Sequence, residues 1–123
     1  DLLDARAQEL ALRARRLIQS DWRRADPLAV TPGPPACNLG SRTALLQLQL
    51  DPQAPAVIYS RGSAPSPIWR GEVLMRCGPA FGLDGAQNLS ATWQNRVVLD
   101  DLQSHQTLLA WIEELNRIAR GPG

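Results

Sequence analysis

Thr43-Ala44-Leu45-Leu46-Gln47-Leu48-Gln49-Leu50 is the stretch that decides the fold. Leu46, Leu48 and Leu50 fall on one side, Gln47 and Gln49 on the other. That period of two marks a strand with one face in a core and one toward water. Upstream the period is different. From Asp1 to Asp26, Leu3, Ala7, Leu10, Ala14 and Leu17 recur at steps of four and three, and Ile18 and Trp22 widen the stripe. This spacing predicts a long helix over 1–26, with Leu3, Leu10 and Leu17 as its packing face. Pro27 ends it, and the three prolines Pro32, Pro34 and Pro35 make 27–42 a turn-rich connector.

Downstream, Asp51-Pro52 closes the strand, and further strands are expected at Ala56–Ser60, Ile68–Cys77 and Arg96–Leu99. In the third, Trp69, Val73, Met75 and Cys77 share the parity expected to face the core, while Arg70, Glu72 and Arg76 take the other. The sheet region therefore spans 43–99. The final segment, 100–120, reads as a second helix, with Leu108, Trp111, Ile112, Leu115 and Ile118 as its stripe. Asp100 with Gln103 reads as a capping box, and Glu113 with Arg117 as an i,i+4 pair. The class is α+β: one long N-terminal helix on a small antiparallel sheet, followed by a C-terminal helix, all in a single domain over 1–123.

Composition narrows the function. With 44% hydrophobic and 20% charged residues, a chain of 123 residues builds one ordinary core and not two. Thirteen basic residues against twelve acidic give a net charge of +1, so a dedicated nucleic-acid surface finds no support in charge. Two cysteines and one histidine, His105, fall short of a zinc set. Cys37 and Cys77 form either a disulfide or two thiols; their spacing and the strand reading favour the disulfide, and with it an oxidising compartment.

Catalytic chemistry is not legible. Ser104 and His105 are neighbours in sequence, and adjacent helix positions do not face each other. Asp100 and Asp101 suit a helix N-terminus without any cation. Asp84-Gly85 is a turn lacking the alternating oxygens of a calcium loop. Asn88-Leu89-Ser90 matches a glycosylation sequon, a short pattern that recurs by chance. The expectation is a non-enzyme without metal or cofactor. Of the four tryptophans, Trp69 and Trp111 lie on apolar stripes and are expected in the core; Trp93, in a polar stretch, is the candidate surface contact.

The order of elements, together with the run Ala56-Val-Ile-Tyr59-Ser, Ile68-Trp69-Arg70-Gly71 and Leu74-Met-Arg76-Cys77-Gly78-Pro79, resembles the type IV pilin-like family. Val97-Val98-Leu99-Asp100-Asp101-Leu102 is similar to a late segment of J-type pseudopilins and the corresponding minor pilins. The resemblance spans most of the chain in layout and about 30 residues in motif. The family's peptidase site, a glycine before an apolar stretch with glutamate at its fifth position, has no counterpart in these residues.

The resemblance implies a minor pilin or type II secretion pseudopilin. It implies an inner-membrane anchor through a preceding N-terminal half-helix, and a periplasmic or cell-surface location. Its partners would be other pilin or pseudopilin subunits. The alternative is a periplasmic or secreted binding module that uses the tryptophans and proline-rich loops.

Overall fold

Apart from Ile18, the first helical segment holds no β-branched residue, glycine or proline, and leucine, alanine and arginine dominate it. Such a composition favours helix throughout. In a computed structural model it forms α1 (Leu2–Arg24), 23 residues and so about 35 Å long. Arg23 and Arg24 sit in its last turn, where cations meet the negative end of the helix dipole. Next come β1 (Thr43–Leu48), β2 (Val57–Ser63), β3 (Glu72–Pro79) and β4 (Trp93–Leu99). A 3-10 turn (Leu102–Ser104) and α2 (Gln106–Ala119) complete the order. The structure describes residues 2–25, 37–50, 55–79 and 93–119.

The four strands form a meander in the order β1-β2-β3-β4, antiparallel throughout. This is the α+β architecture the period changes predict. Both helices contribute to one core on one face of the sheet. There Ala14 and Ile18 of α1 and Leu108, Leu109 and Ile112 of α2 meet Leu46, Leu48, Val57, Tyr59 and Leu74. Full burial of each large aliphatic chain contributes about 1.5–3 kcal/mol. Arg15 places its guanidinium 4.5 Å from the Trp111 ring centroid, joining the helices at the rim.

The opposite face is closed by the end of the connector. Cys37 and Cys77 are disulfide-bonded, with Cα atoms 6.0 Å apart. Leu39 packs beside them with Ile58 and Ala56. At the far end of this strap, Arg42 donates to Ser60 Oγ (2.9 Å), Ser60 O (3.1 Å), Ser63 O (2.8 Å) and Val73 O (2.8 Å). Burial lowers the Arg42 pKa, against the attraction of Glu72, but four acceptors satisfy the guanidinium.

Several expectations need correction. The third strand begins at Glu72, not Ile68. Residues 64–71 form a turn that exposes Ile68 (76%) and Trp69 (36%), so Trp69 is not a core residue. The expected parity of β3 is reversed: Leu74 joins the helix-facing core, while Cys77 lies on the strap side. Trp111 is half-buried at the rim. On α1 the fully buried positions are Ala14, Ile18 and Asp21, whereas Leu10 and Leu17 are half-buried; the Leu3 side chain lies outside the described residues. So do most of the connector, Asp84-Gly85 and Asn88-Leu89-Ser90.

Asp100 and Gln103 form no capping box. They hold the 64–71 turn instead: Asp100 Oδ2 accepts from Arg70 N (3.0 Å) and Gln103 Oε1 from Glu72 N (3.2 Å). Gly71, at φ +58°, lets the backbone pass the Gln103 amide, which would lie 2.8 Å from any Cβ there. On α2, Arg117 pairs with Glu114 rather than Glu113.

Candidate functional site

Asp21 lies on the buried stripe of α1, seven positions after Ala14 and three after Ile18. That spacing aims its carboxylate at the sheet. Arg76 meets it from β3, donating from Nε to Oδ2 (2.8 Å) and from NH2 to Oδ1 (3.0 Å). A third bond runs from Arg76 NH1 to Pro79 O (2.9 Å). Tyr59, opposite Arg76 in the β2–β3 register, donates its hydroxyl to Asp21 Oδ2. Asp21 and Tyr59 are fully buried and Arg76 is 7% exposed. The guanidinium lies over Gly78, where a Cβ would come within 3.0 Å of its carbon and terminal nitrogens.

The electrostatics follow from this geometry. Burial, followed by the neighbouring Asp21 carboxylate, pushes the Tyr59 phenol well above its ordinary range. Burial works to lower the Arg76 pKa, but the hydrogen bond and attraction of Asp21 leave it raised. The three groups form a closed polar hub. The mutual hydrogen bonds of these three buried groups lock α1 to the sheet.

One cleft opens beside this hub, between α1 and β4. It holds about 370 Å³ and is lined by Arg13, Leu17, Arg76, Gln94, Arg96 and Val98, among others. Arg96 stands directly opposite Arg76 in the β3–β4 register, so both point to the helix side. Among the described residues no acceptor engages Arg96. Gln94 Oε1 and Asn95 Oδ1 are buried on β4 without a hydrogen-bond donor there.

The residues singled out from the sequence do not converge on this cleft, Leu17 excepted. Trp93 is half-buried where β4 begins, packed against both apolar clusters. His105 is half-buried, and its backbone carbonyl accepts from Leu109 N (3.0 Å) to start α2. Asp101 holds a left-handed backbone (φ 50°), with its carboxylate accepting from Ser104 Oγ (2.9 Å). Sequence reading missed Asp21, Tyr59 and Arg76. The available signal was a charged residue on an apolar helix stripe, which is costly unless paired.

Among the described residues no group of three or more metal-ligating side chains comes together, and no helix is long and apolar enough to cross a membrane. Compared with protein-family models, curated proteins and solved structures, the chain matches none. What the fold defines is therefore a disulfide-bonded α+β domain with a helix-on-meander core.

Proposed function

We propose that this domain is a non-enzymatic assembly subunit of the type IV pilin-like kind: a minor pilin or type II secretion pseudopilin that helps initiate, cap or decorate a fibre. The observation that carries this reading is the uneven burial of α1. From Arg6 to Arg13 no side chain is fully buried, and Leu12 is 47% exposed; Ala14, Ile18 and Asp21 then sink into the core. A helix anchored by its second half, with half-exposed Ala7, Leu10 and Ala11 in its first, suits packing on neighbouring subunits. The disulfide strap adds support, because such bridges persist in oxidising compartments.

In this reading the full protein is anchored in the inner membrane and the domain faces the periplasm or cell surface. Fractionation of the native host tests it. The protein is expected in the membrane fraction and in fibres sheared from the cells or released with the secretion machinery. Recovery only as a soluble monomer, absent from both, would contradict it.

A second reading, a secreted or periplasmic binding module, is favoured by the tip of the 64–71 turn. Ile68 and Trp69 are exposed there on a turn fixed by Asp100 and Gln103. A preorganised tryptophan is a common centre of binding energy. Trp69→Ala abolishing capture of a soluble ligand, with fibre association unaffected, would favour this alternative.

A further inference from the structure

The helix-facing side of β4 breaks the rule that β1 and β2 obey. On β1 that side carries Leu46 and Leu48, on β2 Val57 and Tyr59, both pairs fully buried. On β4 it carries Gln94 and Arg96, whose register partners are Gly78 and Arg76. Like charges directly opposite each other on one sheet face are destabilising. Asp21 compensates Arg76 through two hydrogen bonds, but no described residue compensates Arg96. A polar choice on an inner face with no partner among the described residues marks a place where sequence serves something other than folding.

The other wall has the same character. Arg13 is 68% exposed and, among the described residues, pairs with Glu9, itself 58% exposed, at 2.8 Å. An exposed pair of this kind contributes little and exchanges readily. Between these guanidinium groups Leu17, Ala14 and Val98 supply an apolar patch, with Gln94 beside it. The volume of about 370 Å³ lies at the small end of ligand sites.

We propose that the α1–β4 cleft binds a carboxylate carried on a short apolar stem. The Arg96 guanidinium takes the carboxylate, with Arg13 completing the charge from the helix, and the stem lies against Leu17 and Val98. The planar fork of arginine suits carboxylate geometry, and such charge-assisted bonds are the strong ones. This site does not depend on the assembly reading. Its ligand is either a free organic acid or a glutamate side chain of a protein segment, which share one chemistry.

Amide chemical shifts of ¹⁵N-labelled protein, titrated with butyrate at constant ionic strength, test the proposal. Saturable shifts are expected at Leu17, Arg96 and Val97, with butyramide at least about ten-fold weaker. Inorganic phosphate, which lacks the stem, is also expected to bind more weakly. Arg96→Gln should weaken butyrate by about ten-fold or more, and Arg96→Lys by less, because it keeps charge without the fork. Arg96 is exposed and stands opposite Arg76, so Arg96→Gln should melt at or above the wild-type temperature and Arg96→Lys close to it.

A blocked peptide with one glutamate between leucines separates the sources. Tighter binding than butyrate assigns the site to a protein segment; equal or weaker binding assigns it to a free acid. The proposal is overturned by the absence of saturable shifts in the cleft, by butyramide or phosphate matching butyrate, or by a folded Arg96→Gln protein that binds butyrate undiminished.

Discussion

Arg76 belongs among the polar residues of its strand by composition, yet it is nearly the most consequential side chain in the core. Its bidentate pair with Asp21 draws two charges out of water, and the surrounding bonds to Tyr59 and Pro79 make that tolerable. Removing one partner leaves the other buried and uncompensated. Asp21→Ala should therefore cost about 3–5 kcal/mol in urea denaturation; a loss below 1 kcal/mol would show that the pair does not hold α1 in place.

Gly78→Ala should also destabilise, by about 1–3 kcal/mol, because its methyl group meets the Arg76 guanidinium at 3.0 Å. Tyr59 adds a pH dependence. Its phenol is raised in the folded state, so its stabilisation is complete below the unfolded value of about 10 and is lost as pH rises through the higher folded value. Tyr59→Phe should flatten the fall of melting temperature at alkaline pH; an unchanged alkaline limb would refute this role. None of this triad was legible from composition. Only the place of Asp21 on the stripe of Ala14 and Ile18 hinted at a buried partner.

At the scale of elements, periodicity carried most of the reading. The change from helical to alternating spacing located both helices and the strands that became β1 to β4, because burial of one face imposes a period on each element. It failed where both faces are buried. β3 is covered by helices on one side and by the Cys37–Arg42 strap on the other, so both parities are buried. The apolar one, Val73, Met75 and Cys77, lies under the strap, while the helix side carries Leu74 and the paired Arg76, and parity alone picked the wrong face. It failed also at 64–71, where Trp69 continues the parity of β3 although the backbone has already turned at Gly71.

Mutational cost should follow the observed burial. Ile18→Ala is expected to cost about 2–5 kcal/mol and Leu17→Ala only about 1–2, since Leu17 is half-exposed at the cleft. Trp69→Ala should stay within about 1 kcal/mol. Thermal melts of the three variants check the order, and a Leu17 variant weaker than the Ile18 variant would reverse it.

For the molecule as a whole, the sheet is held from both sides: α1 and α2 by apolar packing on one face, the strap by a covalent bond and Arg42 on the other. The Cys37–Cys77 bridge, the outcome favoured by spacing and strand reading, closes a loop of 40 residues. In the chain-entropy model this contributes about 4 kcal/mol. Reduction, or Cys37→Ser with Cys77→Ser, should lower stability by up to that amount without unfolding α1 and α2, because the larger core lies on the other face. Loss of all helical circular dichroism at room temperature would contradict that division.

The assembly reading makes a sharper demand, since it requires α1 to continue into an anchor. The most direct test is the N-terminal sequence of the mature protein in its host, read by top-down mass spectrometry. The account predicts a retained segment of about 20 apolar residues joined directly to Asp1, long enough to enter the bilayer as a helix. A mature chain that starts near Asp1 after removal of a cleavable leader would contradict it.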